Sequence, residues 1–112
     1  MHTTGIGNNG ETIAVEALLE LGYNIIERNW KTKWAEVDII AQKNKILFFI
    51  EVKYRQNKLQ GDGLDYITDK KLQHMMRAAE LWVLKHDWQN EYQLLAVAVS
   101  GIGNEVTIRE II

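Results

Sequence analysis

Two acids and a lysine carry the strongest chemical signal in this chain: Asp38, twelve intervening residues, then Glu51-Val52-Lys53. Side chains alternate faces along a strand, so Glu51 and Lys53 point the same way. A two-residue loop at Asn44-Lys45 pairs Lys43 with Ile46, Ile40 with Phe49 and Asp38 with Glu51, and a four-residue loop about the same centre gives the same register. Directly opposed residues have Cβ atoms about 4.5–5.5 Å apart, and like charges so placed repel. Such a pair is stable when something positive sits between the carboxylates. Mg²⁺ or Mn²⁺ suits the task, because Mg²⁺ takes oxygen ligands and usually binds one or two carboxylates plus substrate phosphate. Asp38 and Glu51 are therefore the expected metal ligands, with the Val52 carbonyl as a further oxygen. Lys53 stands beside them, placed to orient an attacking water or to stabilise charge on a phosphate.

The neighbours argue against a merely solvated hairpin. Leu47 and Phe49 share the face of Glu51, while Ile46, Phe48, Ile50 and Val52 occupy the other. A strand apolar on both faces is a covered, central strand. An ionised group there is costly without compensation. Glu11 is a third acid of interest. Positions 11, 14, 18 and 21 fall on one helical face, and Ala14, Leu18 and Leu21 are expected to pack on the sheet. Glu11 extends that stripe toward the metal; its other role would be favourable interaction with the helix dipole. Glu36 shares the face of Asp38 and is a further candidate.

The elements that must position these residues follow from periodicity and turn chemistry. Residues 10–21 read as a helix, with Asn8 or Asn9 as its cap and Gly22 at its end. Strands are predicted over 23–30, 36–42 and 46–54, rich in Ile, Val and Phe. A glycine-bearing loop over 56–66 leads to a long helix capped by Thr68 or Asp69 and running to Lys85, with Leu72, Met75, Met76, Ala79, Trp82 and Val83 as its apolar stripe. Strands over 94–100 and 106–111 finish an α-β-β-β-α-β-β order. The expectation is an α/β fold, a mixed sheet flanked by helices.

Composition sets the outer limits. With 112 residues, 46% of them hydrophobic, the chain reads as a single domain over 1–112. It has no cysteine, which excludes disulfide frameworks, zinc ribbons and thiol catalysis and fits a reducing compartment. No apolar run approaches the roughly 20 residues of a membrane span, and the first residues lack the pattern of a signal peptide. A cytoplasmic protein is expected. A net charge of −2 argues against a histone-like basic coat, though not against a local basic groove.

Ordered blocks along the chain bring a family into view. Gly10-Glu11-Thr12-Ile13-Ala14, then Leu21-Gly22-Tyr23 and Glu27-Arg28-Asn29-Trp30, are followed by Ala35-Glu36-Val37-Asp38-Ile39-Ile40-Ala41 and Phe49-Ile50-Glu51-Val52-Lys53-Tyr54-Arg55. These blocks, with Lys70, Lys71 and Ala78-Ala79, resemble the uncharacterised bacterial YraN-type family. That family is similar to archaeal Holliday junction resolvases of the PD-(D/E)xK nuclease superfamily. The resemblance implies a restriction-endonuclease-like core. Matched by position, Asp38 and Glu51 correspond to metal ligands, Lys53 to the motif lysine and Glu11 to the acid of the N-terminal helix. Ala35 and Gln93 depart from the family pattern, which commonly has glycine and aspartate there.

Other features take blander readings. Gly5-Ile6-Gly7-Asn8-Asn9-Gly10 matches G-x-G-x-x-G, yet only four residues precede it, so no strand leads into it as a dinucleotide site requires. Residues 1–9 read instead as a flexible arm. His2, His74 and His86 lack metal-ligand spacing. Trp30 and Trp34 flank Lys31 and Lys33, a pairing that can stack bases but more often is partly buried. Arg55 and Lys58 lie just past Lys53 and are candidates for holding a phosphate backbone, as are Lys70 and Lys71 on the second helix, where a solvated helix face is the alternative.

The expected function is Mg²⁺-dependent hydrolysis of DNA phosphodiesters by an endonuclease, on branched or structured substrate. The alternative is a nucleic-acid-binding module on the same frame without turnover, and a scaffold protein is a third option. Relatives in the superfamily often act as dimers, so a homodimer is a candidate assembly, with Ile108 and Ile112 as candidate exposed contacts.

Overall fold

A computed structural model describes residues 6–55, 67–101 and 105–111; within the first segment side chains are described from Gly10 to Tyr54. The elements are α1 (Ile6–Glu20), β1 (Asn24–Lys31), β2 (Glu36–Lys43), β3 (Ile46–Arg55), α2 (Asp69–Lys85), β4 (Tyr92–Ser100) and β5 (Val106–Glu110). This is the α-β-β-β-α-β-β order expected from the sequence. The five strands form one mixed sheet in the order β1-β2-β3-β4-β5. Only β3 and β4 run parallel, joined through α2 as a parallel crossover requires.

The central hairpin has the anticipated register. Lys43 pairs with Ile46, Ile40 with Phe49 and Ile39 with Ile50. Asn44 and Lys45 adopt φ of 53° and 68°. Positive φ at both central residues is the backbone of a type I′ turn, whose twist matches that of the flanking strands.

Both faces of the sheet are covered. On one side α1 contributes Ala14 and Leu18 to a core with Ile39, Ala41, Phe48, Ile50, Leu95, Val97 and Val99. On the other, α2 sets Met75, Ala78, Ala79 and Trp82 against Val37, Ile40, Leu47, Phe49 and Leu94. This double coverage accounts for the run Ile46-Leu47-Phe48-Phe49-Ile50, which has no polar face. Trp82 meets Phe49 edge-on at 6.0 Å and directs Nε1 to Glu27 Oε1 at 3.4 Å. Trp30, at the far end of β1, packs half-buried on the same cluster. Thr68 caps α2, its hydroxyl accepting from the Lys71 N–H at 3.1 Å.

Three expectations are corrected. First, α1 begins at Ile6, so Asn8 and Asn9 lie within the helix and do not cap it, and the arm does not extend to residue 9. Glycine disfavours helix by about 1 kcal/mol, but Gly10 is there because of packing. A Cβ at Gly10 would lie 2.9 Å from Tyr54 Cβ and Cδ1, so the absent side chain lets α1 settle on β3. Secondly, Leu21 is 52% exposed and does not pack on the sheet. The helix has already closed: Tyr23 N–H donates to Leu18 O and Gly22 N–H to Leu19 O, each at 3.0 Å, with Gly22 at φ 94°. This is a Schellman ending, which leaves Leu21 at the turn. Thirdly, Ile108 is not fully exposed but half-buried against the α1-side core; Ile112 lies outside the described residues.

Candidate functional site

The β2–β3 ladder ends at Ile39 and Ile50. Two residues further along β3, the backbone N–H of Val52 needs an acceptor, and β2 supplies a side chain. Asp38 Oδ2 accepts from Val52 N–H at 2.7 Å. A buried N–H left unpaired is costly, so this bond both closes the ladder and fixes the carboxylate. The sequence expectation of a face-to-face Asp38–Glu51 pair stops one residue short, yet the two acids do share a cavity.

That cavity, of about 450 Å³, is lined by Asp38, Glu51 and Glu36 from the strands and by Thr68, Lys70, Lys71 and His74 from the start of α2, with Trp34, Ala35 and Met75. The Thr32–Ala35 turn helps to shape its wall: the Thr32 hydroxyl accepts from the N–H groups of Trp34 and Ala35 at 3.0 Å each. Lys33 covers the Trp34 ring at 5.0 Å.

Electrostatics single out Asp38. Burial pushes its carboxyl up to about 7, the nearby charges of Glu51, Glu11 and Glu36 push in the same direction, and the Val52 hydrogen bond opposes them. Glu51 has a direct partner instead: Lys71 Nζ lies 2.8 Å from Glu51 Oε2, with the Glu51 side chain only 13% exposed. Glu11 sits on α1 and meets Arg28 Nη2 at 3.4 Å. Its carboxyl is also raised, chiefly by burial and against the pull of Arg28.

The candidate residues therefore divide. Asp38 and Glu51 come together, and Glu36 joins them at the cavity wall. Glu11 contributes to the field at Asp38 but is engaged by Arg28 and does not line the cavity. Among the described residues, no three His, Cys, Asp or Glu side chains group closely enough to hold a metal ion. Of the three expected acids, Asp38 and Glu51 share the cavity and Glu11 lies outside its lining. Lys53 is half-buried and falls by strand alternation on the face of Glu51, and Lys71 reaches Glu51 directly from α2. Lys70 is exposed at the cavity wall. The Arg55 side chain and Lys58 lie outside the described residues. Lys71 and Arg28 as acid partners were missed, because nothing in local spacing links them to residues on distant elements.

The donor chemistry suits a hard divalent cation. Asp38 and Glu51 offer carboxylate oxygens in one cavity, and burial, with a smaller push from the neighbouring acids, disfavours the Asp38 charge in a way that a bound cation would offset.

Fold and site together define a small α/β protein with a paired-acid cavity roofed by the basic first turns of a helix. Residues 10–99 match the model of a family described as Uncharacterised protein family UPF0102. The chain is 37% identical over 106 residues to a UPF0102 protein of Fusobacterium nucleatum, covering 95% of this chain and 88% of that one. It is 40% identical over 108 residues to a UPF0102 protein of Caldicellulosiruptor saccharolyticus, covering 95% and 92%. A UPF0102 protein of Vibrio parahaemolyticus is 30% identical over 103 residues, covering 90% and 85%. The chain belongs to the UPF0102 family, which is the YraN-type family its residues resemble. Among the described residues no helix is long and apolar enough to cross a membrane.

Proposed function

We propose that this protein is a metal-dependent nuclease that hydrolyses phosphodiester bonds in DNA, with branched or structured DNA as its substrate class. The reading treats the sheet and its two helices as a restriction-endonuclease-like frame and places the protein in the cytoplasm. One observation carries it: Asp38 and Glu51 line a single cavity that Lys70 and Lys71 also line. Acids that can hold a cation share it with bases that can hold a phosphate.

Asp38 and Glu51, with the Val52 carbonyl, would hold Mg²⁺ or Mn²⁺. A cation bound there supplies Lewis acidity at the phosphate and a lowered pKa for a water in its shell. The remaining work belongs to the chain. The Val52 N–H keeps the Asp38 carboxylate in one orientation, so no reorganisation is needed when substrate arrives. Lys70 at the cavity wall provides a positive charge for the DNA backbone. Lys53 is assigned to stabilising charge that builds on the phosphate as water adds and the P–O bond to the leaving sugar oxygen breaks.

The test is cleavage of junction, flap and linear duplex DNA in Mg²⁺ and in Mn²⁺. Asp38→Ala and Glu51→Ala should each lower cleavage by about 10²–10³-fold, the scale seen when transition-state charge stabilisation is removed. Cleavage at the original rate in both variants would overturn the proposal.

A second reading is a nucleic-acid-binding module without turnover. It is favoured by the ion pair that already neutralises Glu51. Tight DNA binding with no cleavage in either metal would select it.

A further inference from the structure

Lys71 already engages a carboxylate oxygen that the proposed cation site would use. Its ammonium contacts Glu51 Oε2 at 2.8 Å, in the same cavity as Asp38. Metal–oxygen contacts of Mg²⁺ are about 2.0–2.1 Å, so a lysine and a dication on the same carboxylate would be forced together against their mutual repulsion.

We infer that Lys71 and a divalent cation compete for Glu51: Lys71 neutralises the carboxylate when the cation is absent, and cation entry moves the ammonium away from Glu51. This deepens the reading above and rests on its two-carboxylate cation site. Three observations support the exchange. Glu51 is the more enclosed partner, 13% exposed against 38% for Lys71, so the carboxylate stays while the lysine has somewhere to go. The Lys71 backbone is held, because its N–H donates to the Thr68 cap at 3.1 Å. Exchange therefore moves the side chain and leaves the helix in place, through the flexible four-carbon stem of lysine. Finally, the cavity is crowded with acids, and its charge is offset in either state: by Lys71 before the cation binds and by the cation afterwards.

In this exchange Lys71 is a positioning residue that sets the affinity of the cation site. A purely structural ion pair makes a different prediction: its loss would lower stability and leave cation affinity unchanged.

Mn²⁺ titration of the full chain by calorimetry separates the two, using the wild type, Lys71→Met, Lys71→Arg and Lys85→Met. Lys71→Met should bind Mn²⁺ about tenfold more tightly, the scale of one charge-assisted contact removed from competition. Lys71→Arg keeps a competing cation and should bind no more tightly than the wild type. Lys85→Met, at the exposed far end of α2, should change affinity by no more than about twofold, because a distant exposed charge is screened. Circular dichroism checks that each variant folds; Lys71→Gln replaces Lys71→Met if the latter does not. Equal, measurable affinity in the wild type and Lys71→Met overturns the exchange and leaves the cation site standing. Absence of Mn²⁺ binding in every folded variant overturns both.

Discussion

Asp38 on β2 accepts the backbone N–H of Val52 on β3 at 2.7 Å, at the point where the ladder between the two strands stops. One carboxylate thus serves the sheet and the cavity at once. The hydrogen bond favours its charged form, while burial and three neighbouring acids favour its neutral form, and burial dominates.

This balance predicts a pH-dependent stability in the metal-free protein. The Asp38 carboxyl rises from 3.8 to about 7 on folding, so the folded chain holds the proton more tightly than the unfolded chain does. The contribution of the proton to stability is full below about pH 3.8, falls as pH rises, and is lost above about pH 7. Asp38→Asn keeps an acceptor for Val52 and removes the charge. In chelator-treated protein it should unfold at higher denaturant than the wild type at pH 8, by about 1–3 kcal/mol. The gap should close near pH 4. A variant less stable than the wild type at pH 8 would contradict this account of the site.

Gly10 offers a test of how α1 is seated. Gly10→Ala would gain about 1 kcal/mol of helix propensity. Against that, its Cβ would meet Tyr54 Cβ and Cδ1 at 2.9 Å and Cγ at 3.1 Å, atoms near the backbone of a central strand that cannot swing aside. Overpacking costs about 1–3 kcal/mol, so the steric effect should win. The Tm should drop by several degrees, at roughly 4–8 °C per kcal/mol. A higher Tm would mean that α1 is free to shift.

Lys45 sits at φ 68° in the β2–β3 turn, a conformation costly for a residue with a Cβ. Lys45→Gly completes the Asn-Gly pair that this turn type prefers. It should raise the denaturant midpoint by the equivalent of about 1 kcal/mol with an unchanged m-value. A lower midpoint would show that the Lys45 side chain contributes more than its backbone strain removes.

Much of the site was legible before any coordinates. The apolar run of β3 announced a covered strand, Asn44-Lys45 set the hairpin register, and the register brought Asp38 and Glu51 to one cavity. The ladder's early end was not legible, because Asp38 replaces a main-chain acceptor with its side chain and no local pattern signals that. The extra turn of α1 was also hidden: the glycine- and asparagine-rich residues 6–9 carry no apolar periodicity, yet they continue the helix.

By itself the sequence determined element order, the register of the β2–β3 hairpin and the acid pair, since periodicity and turn chemistry act between residues near in the chain. Tertiary structure alone decided which charges meet. Lys71 reaches Glu51 from twenty residues away and Arg28 reaches Glu11 from seventeen, across different elements. Such pairs depend on where a helix lands on a sheet. Summed packing over the two apolar faces sets that position, and no single motif does.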